Sequence, residues 1–217
     1  MADSKEDVAS QALARLGEGP ISSFDDGTDF AEKVNQLYEG TILSLLSRYE
    51  WNFASTRAQL QVDGAITPVN EWSFAFLMPT LRVVRVGNPV RVYNSTNLNA
   101  RPIFDYELEG KHIFTNHQVI VIEYIARKAE SLWPGYFEEL AVEALAARLA
   151  LPITEIASKE EWHTAMAFGT PSESREGGLF GSAMRADAKH SPTRSLLDDS
   201  DPITGARFGG SHRDGRW

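Results

Sequence analysis

The chain contains no cysteine in 217 residues. That excludes disulfides and thiolate metal sites. It also lacks any apolar run approaching the ~20 residues a helix needs to cross a bilayer, and Met1-Ala2-Asp3-Ser4-Lys5-Glu6-Asp7 does not read as a signal peptide. The expectation is a soluble protein made in the cytoplasm, with no membrane partner. Basic residues are in deficit, 21 Lys and Arg against 30 Asp and Glu. Tight non-specific DNA binding needs many cations to release phosphate counterions, so this balance argues against it.

The deficit is uneven. Residues 1–56 carry 4 basic and 10 acidic side chains, and 126–185 carry 6 and 9. The middle, 57–125, balances at 6 and 6, and 186–217 at 5 and 5. The excess acid sits on the parts that read as helical.

One long amphipathic stretch, about Thr28 to Trp51, organises the rest. Ala31, Val34, Leu37, Tyr38, Thr41, Ile42, Leu45 and Tyr49 recur at three-and-four spacing. Asp25, Asp26, Thr28 and Asp29 supply cap oxygens and negative charge at its start. It runs into Trp51-Asn52-Phe53-Ala54, two large rings flanking an asparagine. A first helix over about Ser4–Leu16 presents Val8, Ala9, Ala12, Leu13 and Leu16 on one face and stops at Gly17. The two should lie antiparallel.

From Arg57 the period becomes two. Arg57–Val62, Trp72–Leu77, Leu81–Val86, Tyr106–Leu108, His112–Phe114 and Val119–Tyr124 read as short antiparallel strands, with a hairpin turn at Glu109-Gly110. Helical pattern returns at Pro134. Phe137, Leu140, Ala141, Ala144, Leu145, Arg148 and Leu149 form a stripe expected to end before Pro152. A fourth helix is expected near Thr154 or Ser158, where Ser158-Lys159-Glu160-Glu161 has the form of a capping box. Thr170 could cap a further piece that Gly177-Gly178 weakens. From about Asp187 the composition turns to Ser, Pro, Asp, Gly and Arg, a tail with no core of its own.

The fold expected is α+β, mainly α: an antiparallel helical bundle (1–56 and 126–186), a small antiparallel β insertion (57–125) and an extended C-terminal tail (187–217). No catalytic, cofactor-binding or metal site is expected. His112 and His117 should fall on opposite faces of a strand, and Glu160-Glu161-Trp162-His163 lacks a second histidine. Histidines are read as solvated. Glu138, Glu139 and Glu143 could suggest paired glycosidase acids but read as a solvated helix face. Trp72, Phe74 and Phe76 could stack bases but read as sheet core. The glycine-rich run from Gly205 follows no strand and opens no helix, so no phosphate loop is read there. The terminal residues Arg207, Phe208, Arg213, Arg216 and Trp217 suit a docking peptide, with rings for pockets and arginines for acids.

Several segments together resemble the head-to-tail adaptors of tailed phages, also called tail tubular protein A in short-tailed phages, with relatives in gene transfer agents. The matching residues are Asp7-Val8-Ala9, Ala12-Leu13, Leu16-Gly17, Ile21-Ser22-Ser23-Phe24, Tyr38, Leu45, Trp51-Asn52-Phe53-Ala54, Arg57 and Leu60. Phe76-Leu77-Met78-Pro79, Leu81-Arg82-Val83, Tyr124-Ile125, Trp133-Pro134, Phe137, Ala141, Ala144-Leu145-Ala146, Leu149-Ala150 and Pro152-Ile153-Thr154 follow in order. The resemblance implies a non-enzymatic virion protein at the head–tail interface, made in the bacterial cytoplasm. It implies a dodecameric ring of copies between the portal protein and the tail nozzle or other tail proteins, its C-terminal part reaching the portal. DNA would pass through the channel without sequence-specific binding. A different reading is a virion-associated peptidoglycan hydrolase, which requires a carboxylic acid of raised pKa in a cleft.

Overall fold

The computed structural model describes residues 4–69, 71–80, 89–97 and 100–190. The fold is α+β. Its described elements run α1 (Lys5–Leu16), α2 (Asp29–Arg48), β1 (Ser55–Gln59), β2 (Phe74–Leu77), β3 (Arg91–Tyr93), β4 (Tyr106–Glu109), β5 (His112–Thr115), β6 (Val121–Ile125), α3 (Gly135–Thr154), α4 (Ala157–Phe168) and α5 (Gly178–Ala188). The strands form two antiparallel three-stranded sheets, ordered β1-β6-β3 and β2-β5-β4.

Local chemistry accounts for most boundaries. Ser4 and Asp7 cap each other's backbone amides to open α1, and Gly17 closes it at φ +91°, where its amide and that of Glu18 bond back to Ala14 and Leu13. Thr28 caps α2 by accepting from the Ala31 amide at 3.2 Å. Thr28 in turn donates its hydroxyl and amide to Asp26 Oδ1 at 2.7 and 3.1 Å, and these bonds, the hydroxyl's first, hold the Asp26 carboxyl below its ordinary pKa.

α2 was expected to reach Trp51, but its helical backbone stops at Arg48 and Tyr49 is extended. The cause is the indole. Trp51 folds back and its Nε1 donates to the Leu45 carbonyl at 3.0 Å, a last-turn acceptor with no helical donor left to it. The ring sits at 5.0–6.0 Å from Tyr49, Phe53, Phe137 and Phe180 and is fully buried.

α3 lies at the centre of the helical part, against α1, α2, α4 and α5. Its residues Leu140–Ala147 are buried without interruption, so the predicted stripe is only one side of a helix covered nearly all round. It does not end before Pro152 but continues to Thr154. A proline in the last turn forfeits one amide bond and little else, and Glu155 then caps at φ +57°. The capping box at Ser158 does not form. Ile156 occupies the cap position, which places Ser158 inside the first turn. Thr170 opens only a three-residue 3-10 turn, its amide bonding Glu173 Oε2 at 2.8 Å. Gly177-Gly178 lie against the end of α4, where a Cβ on Gly178 would stand 2.5 Å from the Met166 carbonyl oxygen. Glycine is needed for that approach, and α5 follows it.

Five of the expected strands form, with shifted ends. β1 starts two residues early, β3 falls on residues not read as strand, and Gly110 makes the hairpin turn at φ +56°. Leu81–Val86 lies outside the described residues. Phe74 and Phe76 do join a second apolar core, with Ile113, Ile120, Ile122, Val92 and Tyr124, whereas Trp72 donates Nε1 to Glu107 Oε2 at 2.8 Å.

Replacing Trp51 by Ala should cost about 3–5 kcal/mol through the cavity and the lost cap. Trp51→Phe should cost less, roughly 1–2 kcal/mol, for the orphaned Leu45 carbonyl. Urea unfolding of the three proteins would show that order; a Trp51→Phe protein as stable as wild type would remove the cap from the account.

Candidate functional site

Among the described residues the polar groups that stand out are buried carboxylates, and each has a built environment. Asp187 is fully buried. Its Oδ2 accepts from the Asn52 amide at 2.8 Å and Asn52 Nδ2 at 3.0 Å, and its Oδ1 from the Tyr136 hydroxyl at 2.7 Å. Asn52 Nδ2 also reaches the Asp187 carbonyl at 3.0 Å. One carboxylate thus ties α5 to the α2–β1 junction and to the start of α3. Burial, then the bond to Asp187, drives the Tyr136 phenol well above its ordinary pKa, so it stays a donor. The sequence boundary at 186 falls inside this unit, since α5 extends to Ala188.

Glu143 corrects the solvated-face reading. It is fully buried, Glu138 nearly so, and only Glu139 remains exposed. Glu143 Oε1 meets His163 Nδ1 at 2.6 Å and Oε2 accepts from Arg15 Nη1 at 2.9 Å. Glu138 accepts from Gln11 at 3.4 Å. The face of α3 that carries these acids is covered by α1 and α4, which bring the donors. His163 is accordingly buried, not solvated, with the Trp162 ring edge-on at 4.7 Å. The legible signal was the Ala-rich, twenty-residue helix itself: a helix apolar on most sides is central, so its glutamates need partners.

A third network joins α2 to the segment after β6. Arg127 pairs with Glu39 at 3.1 Å and Glu130 at 2.5 Å and also bonds the Lys128 carbonyl, while Tyr38 donates its hydroxyl to Glu130 at 2.9 Å. Burial alone would raise the Glu130 pKa, but the Arg127 bond and charge and the Tyr38 hydroxyl outweigh it and hold the carboxyl below its ordinary value. Burial, then the charge of Glu130, raises the Tyr38 phenol.

His112 pairs with Asp63 at 3.0 Å and His117 with Asp105 at 2.7 Å, two separate pairs serving two separate loops. Among the described residues no three His, Asp or Glu side chains converge as metal ligands, and no helix is long and apolar enough to cross a membrane. Arg207, Phe208, Arg213, Arg216 and Trp217 lie outside the described residues. No protein-family model and no curated protein matches the chain.

Two outcomes follow. Asp187→Ala leaves three donors without their acceptor and should cost roughly 2–4 kcal/mol; it should also speed hydrogen exchange in α5 more than in α1, and uniform change would refute a local clamp. Glu130 has a depressed folded pKa, so its contribution is present above the unfolded carboxyl value, 4.5, and vanishes as pH falls through the folded value. The stability gap between wild type and Glu130→Gln, about 1–2 kcal/mol near neutrality, should therefore shrink below pH 4.5. Urea titrations at several pH values would read it, and a gap that widens in acid would reverse the assignment.

Proposed function

We propose that this protein is a structural, non-enzymatic part of a tailed-phage particle, a head-to-tail adaptor. In this reading its helices form an antiparallel bundle interrupted by the β part. Copies assemble as a dodecameric ring around the DNA channel, between the portal protein and the tail nozzle or other tail proteins. The C-terminal tail, with Arg207, Phe208, Arg213, Arg216 and Trp217, docks on the portal.

One observation carries the reading: the ordered series of adaptor-like residues and the places they occupy. Val8, Ala9, Leu16, Phe24, Trp51, Ala54, Trp133 and Phe137 belong to one core, Gly17 caps α1, and the strands fall between α2 and α3. The charge pattern also supports it. A net charge of −9 suits a channel that DNA must traverse without being held. Ring assembly makes weak docking effective, because many tails engage one portal at high local concentration.

Purified protein mixed with its portal should give a discrete ring-bearing complex by mass photometry. Truncation after His190, which spares the Asp187 anchor, should abolish docking while leaving the melting temperature unchanged. Absence of any portal complex across salt conditions would sink the proposal. A zymogram of the same protein should show no clearing of peptidoglycan; a clearing zone would favour the hydrolase reading.

A further inference from the structure

We propose that the outer face of the β1-β6-β3 sheet docks on the acidic start of α2 in a second copy of this chain. The proposal rests on the ring reading above for its closure, but the contact itself is argued from this structure.

Three residues lie in register across the sheet: Arg57 opposite Glu123 on one side, Arg91 opposite it on the other. Arg57 reaches Glu123 Oε2 at 3.1 Å and Arg91 reaches Oε1 at 3.1 Å. One carboxylate thus orients two guanidiniums and leaves one positive charge over. The Glu123 side chain is 12% exposed, against 64% for Arg57 and 49% for Arg91. Tyr93 lies alongside, its ring 5.9 Å from the Arg57 guanidinium.

Beyond β3 the pairing continues. Pro102 bridges Tyr93, and the Ile103 amide bonds the Val92 carbonyl at 2.8 Å. Ile103 packs into the second core, and Phe104 follows it in the segment that leads from this bridge to β4. Phe104 is 87% exposed, yet its backbone is held on both sides. Ile103 is bonded as above, and Asp105 accepts from the Thr115 hydroxyl at 3.0 Å and pairs with His117. Two pre-oriented arginines and a tyrosine on one sheet face, with an exposed phenylalanine in the segment that continues from β3, have the composition of an interface.

Charge identifies the partner. Residues 1–56 hold 10 acidic and 4 basic side chains. At the start of α2, Phe24, Asp25, Thr28, Glu32 and Asn35 line an open cavity of about 270 Å³; its two carboxylates outnumber the nearby cation of Lys5, whose Nζ lies 4.5 Å from the Phe24 ring. The twenty residues of α2 put about 30 Å between that cavity and the strand end of the helix. A chain cannot close this contact on itself. Two different patches on identical copies make a heterologous contact, the kind that closes into rings.

The test uses the full chain in sedimentation velocity at low and high salt. The sheet variant combines Arg57→Gln, Glu123→Gln and Arg91→Gln, which keeps hydrogen-bonding amides; the helix variant combines Asp25→Asn and Glu32→Gln. Phe104→Ser alone is a second sheet variant that removes only an exposed ring. Wild type should form salt-sensitive multimers, and each variant alone should sediment as a monomer with an unchanged melting temperature. An equimolar mixture of sheet and helix variants should give dimers and nothing larger, because one competent interface remains per pair. Multimers from the sheet variants, a monomeric wild type or a mixture that fails to dimerise would overturn the proposal. So would duplex DNA binding that the sheet variant loses, which would assign the arginines to phosphates. A sheet variant that still forms rings on the portal sinks this surface and spares the adaptor reading; wild-type multimers that ignore the portal do the reverse.

Discussion

The molecule depends on how the chain leaves α2. Within three residues Trp51 caps the helix it has just left and fills the space between α2, α3 and α5. Asn52 then uses both its amides to hold Asp187, and Phe53 packs on Phe137 at 4.7 Å. Ala54 bonds Ala126 and starts the pairing of β1 with β6. Apolar burial provides most of the stabilisation here, but it is non-directional. The hydrogen bonds of Trp51 and Asn52 set the direction in which the strands depart and the place where α5 returns.

The buried acids Glu143 and Asp187 and the half-buried Glu130 follow one rule. A carboxylate withdrawn from water must find donors or a cation, and here each takes them from elements distant in sequence. Glu143 links α3 to α1 and α4, Asp187 links α5 to the α2–β1 junction, and Glu130 with Arg127 links the approach to α3 with α2. Such groups add little net stability compared with apolar replacements, but they penalise any packing that leaves them unpaired. They therefore register the helices more than they strengthen them.

The surface divides differently from the interior. Acid is concentrated on the helical segments, whereas the β1-β6-β3 sheet shows two arginines, a tyrosine and the nearby Phe104 to solvent. Arg57 and Arg91 are held in place by the shared Glu123 carboxylate.

Reading the residues alone located α1, its glycine stop and the Thr28 cap of α2, because caps and three-and-four spacing act over one or two turns. The period-two region was legible for the same reason, down to the Gly110 turn. The glutamates of α3 were misjudged, since whether a polar face meets water or another helix is decided by what packs there. Ser158 misled because a capping pattern says nothing of which residue first turns helical. Local patterns fixed most of the elements and their polarity, β3 excepted. That Glu143 meets His163 twenty residues away and that Asn52 meets Asp187 came from packing alone, because those are contacts between segments that no local pattern connects.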